Sequence, residues 1–99
     1  MAMTSKQRAY LKSLASKLSP ILQVGKASLT PELITAIDEA LEKRELIKLS
    51  VLKNCFDDPR ELAETIADRS HSQVVYVIGK KIVLYRPAKK APKIELPRP

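Results

Sequence analysis

The pattern of helices and strands in this 99-residue chain predicts a single compact domain of the mixed α/β (α+β) class. Two observations support the prediction. Apolar residues recur at helical spacing in three segments, and four shorter segments are rich in Val, Ile and Leu. The predicted order is α-β-α-β-α-β-β. Because strand-helix-strand crossovers imply parallel neighbours and the last two strands form a hairpin, we expect a four-stranded mixed sheet packed with helices.

The first helix is predicted over residues 5–18. Thr4 and Gln7 have the spacing of a capping box. An apolar stripe follows at helical spacing, consisting of Leu11, Leu14, Ala15 and Leu18. Ser19-Pro20 ends this helix, and residues 21–24 form a short strand.

The second helix is predicted over residues 31–44, because Thr30 is a good N-cap and Pro31 suits the first helical position. The apolar period then changes from helical spacing to alternation. Over residues 46–52 one side of the chain is apolar and the other is polar, with Ile47, Leu49 and Val51 against Lys48 and Ser50. This alternation predicts a strand with one covered face.

The third helix is predicted from Pro59 to about Arg69, with Asp57 or Asp58 as its cap. Strands at residues 74–78 and 81–86 follow, and Gly79-Lys80 between them suits a type II′ turn. We therefore place the domain at residues 1–86. Residues 87–99 alternate proline with lysine and arginine, including Lys89, Lys90 and Lys93, which predicts an extended, mobile basic tail.

The net charge of +7 is unevenly distributed along the chain. Residues 1–31 contain five basic residues and no acid, whereas residues 32–79 contain ten of the eleven acids. Residues 80–99 contain seven basic residues and one acid. If the fold brings the two ends of the chain together, they form one positive surface of the kind that binds polyanions.

Other residue types argue against several function classes. No window is apolar enough to span a bilayer and the N-terminus lacks a signal-peptide pattern, so we expect a cytoplasmic protein with no membrane partner. Cys55 and His71 are single residues of their types, which leaves no disulfide or zinc-ligand set. No nucleophile and base can be assembled around them. We expect no enzyme activity, catalytic residue, metal, cofactor or small-molecule substrate, and a half-buried or idle Cys55 thiol.

The only two glycines are each followed by lysine, in Gly25-Lys26-Ala27-Ser28 and in Gly79-Lys80-Lys81. Glycine permits positive φ and close approach of a ligand to the backbone, and lysine adds a mobile positive charge. We therefore predict that both segments are tight, exposed points able to grip an anionic backbone. The first also precedes a helix N-terminus, which favours phosphate, although Thr30 and Pro31 remove two of its donors.

Three stretches resemble a known family: Pro20-Ile21-Leu22-Gln23-Val24-Gly25-Lys26 leading into Leu29-Thr30, Ala40-Leu41-Glu42 with Glu45-Leu46-Ile47-Lys48, and Val77-Ile78-Gly79-Lys80-Lys81-Ile82-Val83-Leu84-Tyr85-Arg86-Pro87. Residues 11–86 resemble a stand-alone bacterial CRM domain, the chloroplast RNA splicing and ribosome maturation module, and are similar to YhbY-type ribosome-assembly RNA-binding proteins. The resemblance implies a fold similar to the C-terminal domain of translation initiation factor three. It also implies RNA binding and association with the precursor of the large ribosomal subunit.

Ser28 departs from the pattern of that family, whose members commonly have a Gly-x-x-Gly loop here, akin to the loop with which KH domains clamp nucleotide backbones. If position 28 needs a positive φ, serine there is strained by about 1–3 kcal/mol. If it does not, the hydroxyl can donate a hydrogen bond to phosphate. We favour the second alternative.

The resulting hypothesis is a non-catalytic, monomeric protein that binds ribosomal RNA in precursor large subunits. The predicted RNA-binding residues are Gly25, Lys26, Ala27, Ser28, Lys6, Arg8, Lys12, Lys80, Lys81 and Arg86. Tyr10 is a candidate stacking residue, whereas Tyr76 and Tyr85 are expected at the core edge. With few exposed aromatic residues, we expect slight sequence discrimination. The alternatives are an adaptor that docks an acidic assembly partner through its basic surface and a binder of duplex DNA.

Overall fold

A computed structural model describes residues 3–89 and 92–98 of the chain. Its elements, in chain order, are α1 (Ser5–Ala15), β1 (Leu22–Val24), α2 (Pro31–Arg44), β2 (Leu46–Val51), α3 (Pro59–Ser70), β3 (Gln73–Ile78) and β4 (Lys81–Tyr85). This is the predicted order. Of the helix and strand ends, most lie within one residue of the predicted position, and the end of α1 is the clear exception.

The four strands form one mixed sheet in the order β1-β2-β4-β3. β1 is parallel to β2, and β4 is antiparallel to both β2 and β3. The crossover from β1 through α2 to β2 therefore joins parallel neighbours, as predicted. The crossover from β2 through α3 to β3 does not, because β4 lies between those strands. This position gives β4 two strand partners and buries four of its five residues.

Helices cover both faces of the sheet. α2 and α3 pack on one face, where Ile37 and Ile66 join a cluster with Leu49, Ile82 and Leu84. α1 packs on the other face. There Leu11 and Ala15 contact a second cluster, whose buried members also include Leu46, Val75, Val83 and Tyr85. Consecutive residues of β4 alternate between the two clusters, as the pleat of a central strand requires.

α1 begins as predicted and ends three residues early. The Thr4 hydroxyl accepts from the Gln7 amide and the Gln7 side chain accepts from the Thr4 amide, both at 3.1 Å, so the capping box is confirmed. After Ala15 the amides of Lys17 and Leu18 bond to carbonyls only three residues back. The turn tightens there and Leu18 becomes exposed, so the prediction that Leu18 belongs to the buried stripe is wrong.

The hairpin between β3 and β4 has the predicted two-residue turn. Ile78 pairs with Lys81, which leaves Gly79 and Lys80 as the turn residues. Gly79 has a φ of 55°, whereas Lys80 is not left-handed. These are the signs expected for the predicted type II′ turn, in which the first central residue requires a positive φ.

The described tail residues 92–98 contact the domain, whereas the sequence pattern favours an extended, mobile tail. Ile94 and Leu96 pack against the cluster under α1. The Gln7 side chain also donates to the Pro97 carbonyl at 3.0 Å. As the pattern of proline and lysine predicts, residues 92–98 form no helix. Lys90, Ala91 and Pro99 lie outside the described residues.

Glu45 holds the tail. It follows α2 with a φ of 65°, and its side chain is fully buried. Its carboxylate accepts from the amides of Ala88, Lys93 and Ile94, and its carbonyl accepts from the Arg86 amide at 2.9 Å. Burial raises the pKa of Glu45, but the three amide donors and the Lys93 charge outweigh burial and lower it below the ordinary 4.5.

The first prediction concerns this buried carboxylate. We expect Glu45→Gln to lower the free energy of unfolding by about 1–3 kcal/mol at neutral pH, because a side-chain amide cannot accept from all three N–H groups. Urea denaturation measures the loss, and limited proteolysis should show earlier cleavage of the tail. Glu95→Gln, at an exposed acid of the tail, is the matched control and should change neither.

The same pair of proteins has an expected pH dependence. Because the folded state lowers the Glu45 pKa, this stabilisation is complete above the ordinary value of 4.5 and is lost as the pH falls through the folded pKa. The stability gap between the wild type and Glu45→Gln should therefore narrow below about pH 4.5. A gap that is constant from pH 7 to pH 3 would contradict this role of the ionised carboxylate.

Candidate nucleic-acid interface

Three loops meet at one end of the sheet, which we call the loop end: residues 25–28, residues 52–58 and residues 79–81. β1 and β2 are parallel with Val24 opposite Val51, so the loops that follow these strands leave in the same direction. The Val51 amide donates to the Lys80 carbonyl at 2.7 Å, which places the β3–β4 hairpin beside them. The fold thus brings together the two glycine-lysine segments that the sequence singled out.

The loop of residues 25–28 is a tight turn whose strained residue is Ser28. The Ser28 amide donates to the Gly25 carbonyl at 2.9 Å, and Ser28 has a φ of 57°. The alternative that we favoured from the sequence is therefore wrong: position 28 does need a positive φ. Its hydroxyl donates to the Asp57 carboxylate, so it is already engaged within the protein.

Gly25 is not left-handed, so this turn does not use the positive φ that glycine permits there. A Cβ atom at Gly25 would lie 3.7 Å from the Leu52 side chain and 3.8 Å from the Asn54 side chain, both ordinary contacts. Lys26 and Ala27 form the exposed tip of the turn. The basic side chain of Lys26 is thus the feature of this turn that is best placed to meet an anion.

The start of α2 adds little to anion binding. Thr30 accepts from the Leu33 amide at 3.1 Å, and Pro31 has no amide hydrogen. Glu32 is the acidic residue of the first turn, and its carboxylate opposes an approaching anion. Anion capture at the loop end therefore depends on lysine side chains more than on the helix dipole.

Four lysines from three different loops supply positive charge to the loop end. Lys26 and Lys80 occupy exposed turn tips, and the Lys81 ammonium donates to the Ser50 hydroxyl at 3.1 Å. Lys53, in the loop after β2, is also exposed, and our sequence reasoning missed it. Its position just after a strand parallel to β1 was the available signal, because such strands end at the same edge.

The predicted cations of α1 lie elsewhere. The Arg8 guanidinium donates to the carbonyls of Val74 and Val75, at 3.2 and 2.8 Å, on the edge strand β3. The Lys12 ammonium lies 5.2 Å from the centroid of the Tyr76 ring. β2 and β4 separate this edge from β1, so Lys6, Arg8 and Lys12 form a basic strip separate from the 25–28 turn.

Arg86 is a structural residue, which corrects its prediction as an RNA contact. Its guanidinium is buried and lies 2.6 Å from the Asp38 carboxylate and 3.6 Å from that of Glu42. It also donates to the carbonyls of Ser70 and Asp38. The hydrogen bond from Arg86 lowers the pKa of Asp38. Partial burial of Asp38 opposes this effect, but the charges of Arg86 and Lys89 add to it, so the pKa lies below its ordinary value. Arg86 therefore joins β4 to α2 and α3.

The aromatic residues are divided between the core and the surface. Tyr85 is buried, and both this burial and the nearby charge of Glu45 raise its pKa. Tyr76 is half-buried beneath Lys12. Tyr10 is 40% exposed on α1. Phe56 is 93% exposed at the loop end, and our sequence reasoning missed it. Its signal was an apolar ring inside the polar segment Asn54-Cys55-Phe56-Asp57.

Across residues 3–89 and 92–98, no cluster of His, Cys, Asp and Glu has an arrangement able to hold a metal ion. Cys55 is a buried, free thiol. In the same part of the chain, no helix combines the length and apolar character needed to cross a membrane.

This geometry defines a small α/β domain with a basic, loop-built end. The family model of the CRS1 / YhbY (CRM) domain matches residues 3–86. The chain therefore belongs to the CRM domain family, and the resemblance found in its sequence motifs is confirmed.

Relatives and a solved structure agree with this assignment. The Bacillus subtilis (strain 168) protein named "Probable RNA-binding protein YqeI" is 50% identical over 95 residues, which cover 96% of this chain and 99% of the relative. A Haemophilus influenzae protein named "RNA-binding protein" is 35% identical over 96 residues, covering 97% and 96%. The solution structure of the hypothetical protein SAV1595 from Staphylococcus aureus matches with a TM-score of 0.81 and 50% identity, covering 97% of this chain and 100% of that one. The predicted fold is thereby confirmed.

The second prediction separates strain from hydrogen bonding at Ser28. Ser28→Ala removes the bond to Asp57 but keeps a side chain at positive φ, so it should be less stable than the wild type by about 1 kcal/mol. Ser28→Gly removes the same bond and also the backbone strain, so its free energy of unfolding should be about 1 kcal/mol higher than that of Ser28→Ala. Urea denaturation of the three proteins provides the comparison. Equal stability of the glycine and alanine variants would show that position 28 is unstrained.

Proposed function

We propose that this protein binds ribosomal RNA in precursors of the large ribosomal subunit, as a non-catalytic, cytoplasmic monomer. Membership of the CRM family and the names of the relatives, which describe RNA-binding proteins, support RNA as the ligand. The observation that carries the proposal is the convergence of Lys26, Lys53, Lys80 and Lys81 from three loops at one end of the sheet.

The loop end suits a phosphate backbone better than a compact ligand. Its cations extend from exposed positions, so each can meet a different phosphate of an extended strand. The Asp57 carboxylate is the acceptor of the Ser28 hydroxyl bond, which draws this acidic group towards the protein. The RNA backbone should therefore follow the lysine tips, and binding should depend little on base sequence.

The third prediction is a steep salt dependence of binding. For a fluorescein-labelled single-stranded RNA, log affinity should fall with log salt by about 0.7 for each neutralised phosphate, hence by about 3 for four contacts. Fluorescence anisotropy over a range of KCl concentrations measures this slope. Replacing Lys26, Lys80 and Lys81 together by Gln should reduce the slope by about 2. An unchanged slope would mean that the loop end is not the binding surface.

A matched control exists at the opposite end of the sheet. Replacing Lys17, Lys43 and Lys48 by Gln removes the same charge from exposed or half-exposed positions away from the loop end. This variant should keep nearly the full slope. The α1 strip can be assessed in the same way with Lys6→Gln and Lys12→Gln, which remove cations without touching the Arg8 bonds to β3.

The fourth prediction tests the ribosomal target. Ultraviolet crosslinking in cells should enrich nucleotides of precursor large-subunit RNA over messenger RNA, because the proposal assigns the protein to that particle. The triple variant at Lys26, Lys80 and Lys81 should lose these crosslinks, and the control at Lys17, Lys43 and Lys48 should retain them. Crosslinks spread over messenger RNA in proportion to its abundance would contradict ribosomal targeting while leaving RNA binding intact.

A second candidate function, that of an adaptor for an acidic protein partner, is favoured by a groove at the opposite end. The groove has a volume of about 670 Å³, and its lining includes apolar residues and a set of cations but no acid: Leu14, Leu18, Ile21, Leu46, Ile47 and Ile94, with Lys17, Lys43, Arg44, Lys48 and Lys93. This composition fits an amphipathic acidic segment. A partner that copurifies after nuclease treatment and is lost from the Lys17, Lys43, Lys48 variant would support the adaptor.

A further inference from the structure

Phe56 is the most exposed large apolar residue that the structure describes, and its exposure is imposed by its neighbours. The preceding Cys55 is buried, and its amide donates to the Leu52 carbonyl at 3.0 Å. The following Asp57 accepts the Ser28 hydroxyl. With an anchor on each side, the backbone presents the phenyl ring to solvent, although burial of such a ring is favourable.

The ring lies close in the fold to the proposed phosphate contacts. The Ser28–Asp57 bond joins its loop to the Lys26 turn, and Gly25 lies beside the side chains of Leu52 and Asn54. Ile78, which is 61% exposed, is the next most exposed large apolar residue described and also borders the loop end, just before Gly79. Apolar surface and lysines thus occur together here, as they do on surfaces that bind single-stranded nucleic acid.

We propose that Phe56 is a stacking platform for one unpaired RNA base, next to the phosphates held by the lysines of the loop end. This inference rests on the proposed function and adds a base-binding subsite to it. Asp57 and Asp58 repel the RNA backbone, which therefore follows the lysine tips. In this position the RNA turns a base towards the Phe56 ring. Every base has a π face, so the subsite favours single strands over duplexes without a strong base preference.

A protein ligand is disfavoured by the surroundings of the ring. Phe56 stands between the polar residues Asn54 and Asp57, and the apolar groove that suits a protein segment lies at the other end of the sheet. Phe56 and Ile78 together offer a protein partner little apolar area to bury, whereas a base needs only one face of the ring.

The test uses fluorescence anisotropy with labelled decauridylate and with an RNA of the same length that is abasic at every position. Phe56→Ala should weaken binding of decauridylate by about 5- to 150-fold, which is the range measured for stacking residues. Phe56→Trp should retain binding and show quenching of its fluorescence, because a larger π face remains. Phe56→Leu should resemble Phe56→Ala, since it keeps apolar surface without a ring. Because the side chain is exposed, the urea midpoints of all three should match that of the wild type.

The abasic RNA distinguishes stacking from general weakening. It keeps the phosphates but offers no base, so Phe56→Ala and the wild type should bind it equally and with the same salt slope. Equal binding of decauridylate by Phe56→Ala and the wild type, full retention by Phe56→Leu, or an equal loss on abasic RNA would each overturn the stacking role. Steep salt dependence with no effect of Phe56→Ala overturns the subsite alone, whereas absence of wild-type binding to either RNA overturns the proposed function with it.

Discussion

The buried carboxylate of Glu45 is the interaction on which the rest of the structure depends. Glu45 lies where α2 ends and β2 begins, and its backbone carbonyl accepts a hydrogen bond from the amide of Arg86, just after β4. Its side chain receives three amides of the tail. One residue thus joins a helix, two central strands and the tail at the end of the sheet opposite the loops. A buried charge is tolerable there only because these donors replace the water it has lost.

Arg86 shows why charge distribution along the chain is a weak guide to a binding surface. Sequence reasoning grouped it with the basic tail, yet its guanidinium is enclosed by Asp38, Glu42 and two carbonyls. Lys53 is the converse case, because it lies within the acidic middle of the chain but reaches the loop end. What decides the role of a cation is the sheet end at which its loop emerges and whether the fold supplies it with an acceptor.

Local patterns predicted the elements well, because capping boxes, N1 prolines and apolar periods act over a few residues. The hairpin at Gly79 belongs to the same class, since its turn chemistry is local. The place of β4 between β2 and β3 was not predictable in this way, because it depends on pairing between distant strands. The fastening of the tail at Glu45 and the left-handed φ of Ser28 also depend on distant partners. Of the candidate site, the turn lysines were accessible from sequence, whereas the only signal for Phe56 was an apolar ring in a polar segment, and its exposure was not predictable.

A serine at position 28, where φ is positive, makes a side-chain contact that a glycine could not make. Glycine would adopt this conformation without strain but would leave the 25–28 turn and the 52–58 loop without their side-chain link. Serine accepts the strain and binds Asp57, the residue next to Phe56. The departure from the Gly-x-x-Gly pattern thus couples the turn that presents Lys26 to the loop that presents an aromatic ring. The proposed phosphate contact at Lys26 and the proposed stacking ring of Phe56 thus lie on two loops that a side-chain hydrogen bond joins.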